Sequence, residues 1–254
     1  MASSAPTVEF SNVSFVLPDG RPILQDLNFE VQPGEILVLL GRSGSGKTTA
    51  LKLVNRLLEL SSGQLRVEGR STKDWNPIEL RRHIGYAIQD VGLFPHYTVA
   101  RNIALVPSIQ DWPKQRIEAR VQELMGLVEL DLEIASRYPH QLSGGQRPRV
   151  GVARALAADP PILLMDEPFG ALDPLTRADL QREFLSLQQQ LRKTVLFVTH
   201  DLHEALRLGT RIALLEEGSL ISLTSWDEFL SSSEPLVKQY VEAFGATDRQ
   251  REKP

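Results

Sequence analysis

Gly41, Arg42, Ser43, Gly44, Ser45, Gly46, Lys47 and Thr48 fit the spacing G-x-x-x-x-G-K-[ST], directly after the apolar run 36–40 and before a helical pattern. The glycines let the backbone curl, so that successive N–H groups from Ser43 to Thr49 face phosphate oxygens beside a positive helix end. Lys47 then reaches the β and γ phosphates of a nucleotide, and the Thr48 hydroxyl takes Mg²⁺. A glycine-rich turn with an exposed lysine is the plainer alternative.

Further polar residues follow apolar runs. Asp166 and Glu167 close "ILLMDEP". The first carboxylate can hold Mg²⁺, directly or through water, and the second can polarise an attacking water, since phosphoryl transfer depends on placing water, metal and charge. Taken alone, such a pair also starts helices and solvated turns. His200 closes "LFVTH" and can orient that water near an anion, or simply make a structural hydrogen bond. Gln89 closes "YAIQ" and offers an amide oxygen to Mg²⁺ or water, or is a surface glutamine. A second glycine pair lies in "LSGGQRPRV". Ser143 suits an N-cap, with Gly144 and Gly145 baring N–H groups and Gln146 beside them. Such an end attracts phosphate, or is an ordinary capped helix. Because the first loop already cradles a nucleotide, the second could serve one held by another molecule.

The elements that must carry these residues alternate. "TVEFSNVSFVL" and "ILQDLNFEVQ" read as strands, "ILVLLG" as a strand buried on both faces. "KTTALKLVNRLLEL" has helical spacing, with Leu51, Val54, Leu57 and Leu58 on one stripe. From about Asp90 to Asp159 the pattern is mainly helical, with Ile117, Val121, Leu124 and Val128 on one face. "PILLMDEP" and "TVLFVTHD" are buried strands flanking the helix "RADLQREFLSLQQQLRK", and "RIALLEEGSLISL" is a hairpin turning at Gly218. Short helices are expected at about 225–244, then a disordered tail. The fold class is α/β: a mostly parallel sheet of P-loop NTPase type, with an N-terminal antiparallel β subdomain and a helical insertion at about 90–159. Ligands of such sheets sit at the carboxyl ends of strands.

The net charge of −4 and the pI near 5.8 speak against sequence-independent binding to nucleic acid. With no cysteine, disulfides and thiolate chemistry are excluded. The N-terminal residues do not read as a signal peptide, and the most apolar run falls far short of the ~20 residues that span a bilayer. Work at a membrane therefore calls for another chain to bring this one there.

The phosphate loop, Gln89, "LSGGQ", "LLMDEP", "ALD" and His200, in this order, resemble the ATP-binding subunit of an ABC transporter from about Val8 to Phe244. That resemblance implies one ABC ATPase domain over 1–254 and a head-to-tail pair of such subunits, a homodimer. Each ATP lies between one phosphate loop and the other subunit's Ser143–Gln146 segment. Ala171, Leu172 and Asp173 match the segment that crosses the interface. "IGYAIQDVGLFPHYTVARNIALVP", "RYPHQLSGGQ" and "ARALAADPPILLMDEPFGALDP" are similar to importer ATPases for osmoprotectants such as glycine betaine, carnitine or choline. Permease subunits touching about 90–102, a substrate-binding protein and a peripheral place on the cytoplasmic face of the inner membrane are thereby implied.

Three departures from the family pattern stand out. Leu17 replaces an aromatic that stacks on adenine; alternation puts Val13, Phe15 and Leu17 on one face, so Phe15 or an aliphatic contact could substitute. Pro148 replaces a glutamine; with Ser143 as N-cap it crowds Gly144 and removes an N–H, which predicts a distorted or later-starting helix. Osmoprotectant importer ATPases often carry a C-terminal regulatory pair of domains; if the sequence is complete, none is expected after the 225–244 helices, and regulation by ionic strength through one is expected to be absent. The alternatives are an ABC ATPase for another solute, one acting on DNA or ribosomes, and a nucleotide switch with negligible hydrolysis. Sustained heptads and a basic patch are missing, against the second, and Glu167 with His200 argues against the third.

Overall fold

The computed structural model describes residues 5–89 and 91–245. The chain divides into two compact units, Met1–Pro77 with Thr194–Pro254, and Ile78–Lys193.

The first unit holds an antiparallel sheet in the order Pro22–Val31, Val8–Val16, Ser62–Val67, Arg70–Ser71. Alternation buries one face: Val8, Phe10, Val13 and Phe15 point inward, and Phe10 stacks on Phe29 at 4.2 Å. The same unit carries a second set of strands, where Ile36–Leu40 runs parallel to both Thr194–Thr199 and Arg211–Glu216. Both Ile36–Leu40 and Thr194–Thr199 are buried throughout, as continuous apolar runs require of a parallel strand covered on both faces. The hairpin closes through Glu217 and Gly218, both left-handed, and Ser219–Ser225 returns antiparallel. Short helices at Trp226–Leu230 and Pro235–Ala243 follow.

One expectation in this unit fails. The helix after the phosphate loop spans only Lys47–Val54. Arg56 takes φ +52 and donates to the carbonyls of Thr72 (3.1 Å) and Trp75 (3.0 Å), so the chain leaves the helix to meet the segment around 72–75. Leu57 is 50% exposed instead of continuing the buried stripe of Leu51 and Val54. Periodicity ran past a stop set by tertiary bonds to one arginine.

The second unit pairs Ile84–Ala87 parallel with Ile162–Asp166. Between these strands the chain is helical, at Val99–Ile103, Leu105–Ile109, Lys114–Leu127 and Gln146–Leu156 with short 3-10 turns. On Lys114–Leu127, Val121 and Leu124 face the core, with Val128 just beyond, as the spacing predicts. Arg120 donates to the carbonyls of Leu156 and Ala157, closing the end of Gln146–Leu156. The long helix Pro174–Leu191 starts under Asp173, which accepts from Thr176 N–H at 3.1 Å. No described helix is long and apolar enough to cross a membrane. Of the tail expected over 245–254, residues 246–254 lie outside the described residues, as does Asp90.

Candidate nucleotide site

In the first unit, the phosphate loop leaves the end of Ile36–Leu40. Leu40 lies opposite Thr199, so Gly41 and His200 emerge from neighbouring strands at the same carboxyl edge. Two glycines are required by backbone shape: Gly44 takes φ +86 and Gly46 φ +98. Gly46 caps the helix Lys47–Val54, and a Cβ there would overlap the Leu24 side chain. A Cβ on Gly44 would meet open space, so the loop's rim is free of described neighbours. Lys47 is 5% exposed, and its Nζ donates to the carbonyls of Gly41 and Arg42 at 2.8 Å each. The ammonium is thereby stretched along the inside of the loop. Ser45 Oγ is buried with no hydrogen-bond partner among the described residues. A buried hydroxyl, a fixed ammonium and a backbone curled by two left-handed glycines together fit a polyphosphate. Arg42 and Ser43 are exposed, Thr48 and Thr49 half-buried, and Arg42 lies 3.8 Å from Glu216.

In the second unit, Ala87 is registered with Met165, so Gln89 and the Asp166–Glu167 pair also leave neighbouring strands in the same direction. Asp166 is 4% exposed. Tyr86 Oη donates to its Oδ2 at 3.3 Å, and burial with this carboxylate beside it pushes the phenol well above its ordinary pKa, keeping it a donor. Glu167 has φ +45, a left-handed turn that swings it off the strand. Gln89 Nε2 donates to Glu167 Oε2 at 3.5 Å. Gly170 N–H donates to the Glu167 carbonyl at 3.1 Å, tightening the same turn. The hard oxygens of Asp166 and Gln89 suit Mg²⁺, and so does the Thr48 hydroxyl of the first unit.

The second glycine loop also belongs to this unit. Ser143 is not the N-cap: the helix begins at Gln146, capped by Gly145. Ser143 Oγ still accepts from Gln146 N–H (3.3 Å), and Gln146 Oε1 accepts from Ser143 N–H (3.0 Å). This reciprocal pair spans the turn ahead of the helix in the manner of a capping box. The later start places Pro148 third in the helix, where its missing N–H is one of those that has no intrahelical acceptor. The later-starting helix is therefore the outcome, and no hydrogen bond is lost. Ser143 and Gly144 are exposed, Gly145 and Gln146 half-buried. Arg149, one turn on, donates to the carbonyls of Val128 and Glu129 at 3.0 Å each and to Glu183 at 2.5 Å.

Asp173 is exposed, and the Thr176 side chain and backbone hold its carboxyl below the usual carboxylate range. Phe15 cannot offer its ring to an adenine as it stands. It is 9% exposed, packed in the antiparallel sheet opposite Leu24. Leu17 falls after the strand, in a turn where its N–H donates to the Arg21 carbonyl.

Sequence reasoning missed two residues here. Tyr86 stands three before Gln89, one strand across from Asp166, and only sheet register reveals the pair. Arg154 belongs to the helix Gln146–Leu156 and donates to the carbonyls of Val91 (2.6 Å) and Gly92 (2.7 Å), far away in sequence. No local pattern announces that bond.

The comparisons converge on one family. The family model described as "ABC transporter" matches residues 24–170. The chain is 47% identical over 238 residues to the choline transport ATP-binding protein OpuBA of Bacillus subtilis, covering 94% of this chain and 62% of that one. It is 52% identical over 214 residues to the glycine betaine uptake system ATP-binding protein YehX of Escherichia coli, covering 84% and 69%. The chain thus spans about three fifths of the first of these relatives. Among solved structures, the dimeric ATP-binding cassette MJ0796, in a post-hydrolysis state bound to ADP and Pi, superposes with a TM-score of 0.78 at 33% identity, covering 86% of this chain and 98% of that one. A loop shaped for polyphosphate, a carboxylate pair at a strand end and a family match over more than half of the chain lead to one conclusion: this protein belongs to the ABC transporter family.

Proposed function

We propose that this chain is the ATP-hydrolysing subunit that drives an ABC importer for osmoprotectants such as glycine betaine, carnitine or choline. The observation that carries the reading is the joint presence of an intact phosphate loop and the Gln89–Glu167 contact in a chain whose relatives at 43–52% identity are named for such transport. Lys47 and the backbone from Ser43 to Thr49 hold the β and γ phosphates. Thr48, Gln89 and Asp166 hold Mg²⁺, which when bound neutralises charge on the phosphates. Tyr86, donating to Asp166, fixes the orientation of that carboxylate. Glu167 takes the proton from the attacking water, and His200 orients the water near the γ-phosphate.

Ser143, Gly144, Gly145 and Gln146 complete the site of a second copy in a head-to-tail dimer, with Asp173 at the interface. Gly144 supports this. It is exposed, and no described residue stands within 4 Å of where its Cβ would be, so its face is open to an approaching molecule. The segment 90–102 meets permease subunits at the cytoplasmic face of the inner membrane, a substrate-binding protein delivers the solute, and the working unit over 1–254 is one ABC ATPase domain with its helical part at about 90–159. The test is reconstitution with the cognate permease and binding protein, followed by a screen of quaternary amines. Stimulated ATP turnover by one of them is expected; stimulation only by an unrelated solute assigns the importer elsewhere.

A further inference from the structure

Val91 is a β-branched residue at φ +56, where such residues are rare outliers, and Gly92 beside it takes φ +50. Backbone of this kind persists only when its surroundings over-determine it. Here the determinants are visible. Val91 N–H donates to Ile88 O at 3.0 Å. The Arg154 guanidinium donates through Nη2 to Val91 O (2.6 Å) and through Nη1 to Gly92 O (2.7 Å). Gly151, one turn earlier on the same helix, has no side chain where one would press against Val91 Cγ1 at 2.7 Å. Burial lowers the Arg154 pKa, as expected for a guanidinium turned onto carbonyls.

We infer that Arg154 is a positioning residue: it clamps the strained backbone at 91–92 so that Gln89 is held toward Glu167, and it fastens that segment to the helix led by Ser143–Gly145. The connection runs through named contacts, from Glu167 Oε2 to Gln89, whose neighbour Ile88 accepts from Val91 N–H at 3.0 Å, from the Val91 and Gly92 carbonyls to Arg154, and down the helix Gln146–Leu156 to the second glycine loop. One side chain thereby joins the water-activating carboxylate to the loop offered to the other copy. The mechanistic half of this inference rests on the proposed ATP hydrolysis; the clamp itself does not.

The test uses the full chain. Mg-ATP turnover is measured for wild type, Arg154→Met, Arg154→Lys and the double variant Arg154→Met with Val91→Gly, and hydrogen exchange at 88–94 is followed without nucleotide. Arg154→Met should lower kcat about tenfold, within the range of ordinary coupling between sites, with KM within about twofold. Exchange at the Val91 amide should accelerate while the strand Ile162–Asp166 stays protected. Val91→Gly should restore much of kcat to the Met variant, because glycine holds φ +56 without a clamp. Lysine should be intermediate, since an ammonium is a point donor and cannot reproduce the fork. An unchanged kcat in Arg154→Met overturns the proposal. So does a loss that Val91→Gly fails to relieve, with exchange faster across the whole unit, because that is general destabilisation. If wild type itself shows no turnover, the hydrolytic reading fails, and exchange at Val91 still decides the clamp.

Discussion

The two glycine loops are constrained differently. In the loop 41–48, Gly44 and Gly46 have left-handed backbones, Gly46 sits against Leu24, and Lys47 is tied to the loop's own carbonyls. Every glycine constraint there, apart from the open rim at Gly44, is met inside the chain. In the loop 143–146, Gly145 has ordinary helical dihedrals, and the Thr176 methyl lies 2.9 Å from where a Cβ would stand. Gly144 is pressed by nothing described. At 44 and 46 glycine is set by a left-handed backbone and, at 46, by a close neighbour; at 144 neither applies, and at 145 the constraint is the Thr176 methyl. The proposed site completed by a second copy would use the open face at Gly144.

Substitutions can separate the two. Glu167→Gln keeps the shape and removes the proposed base, so turnover should fall by about two to four orders of magnitude, the usual worth of a general base, while ATP binding persists. Equal turnover would reassign the base. Gly46→Ala should unfold or strongly destabilise the chain, by about 3 kcal/mol or more, from the φ penalty and the overlap with Leu24; thermal melting checks it. Gly144→Ala should leave stability within about 0.5 kcal/mol, as for an exposed site, yet reduce turnover wherever the dimer forms. A large drop in melting temperature for Gly144→Ala would erase the contrast. Pro148→Gln should change stability by less than about 1 kcal/mol, because the proline already occupies a first-turn position.

The smallest effect concerns the cap at Asp173. Its carboxyl is held below the ordinary range by bonds from Thr176, so the charged cap's contribution is complete at neutral pH and is lost as pH falls through the depressed folded-state value. The melting temperature of Asp173→Asn should therefore lie slightly below wild type at pH 7, and the gap should close in acid. A gap that widens in acid would contradict the assignment.

Much of this was legible in the sequence for a physical reason. The phosphate loop, the carboxylate pair and the strand-end His200 are local: their chemistry is fixed by a few adjacent residues after an apolar run. The register that brings Gln89 beside Glu167 also follows from parallel neighbours ending together. What escaped is non-local. The helix after Lys47 stops early because Arg56 bonds to carbonyls at 72 and 75. Phe15 turns inward because the antiparallel sheet needs it opposite Leu24. Ser143 lies ahead of the helix because the turn at 144–145 intervenes, and the same shift removes the conflict at Pro148. Arg154 and Tyr86 act across sheet or helix contacts that no window of sequence contains.

The central claim is that each nucleotide is held by the first loop of one copy and the second loop of another. Mixing two inactive variants, Lys47→Ala and Ser143→Glu, tests it directly. In a head-to-tail pair, one mixed site carries both defects and the other carries neither, so an equimolar mixture should regain roughly one quarter of wild-type turnover by statistical pairing in a two-fold dimer. A mixture as inactive as its components, although mixed dimers are shown to form, would contradict the account.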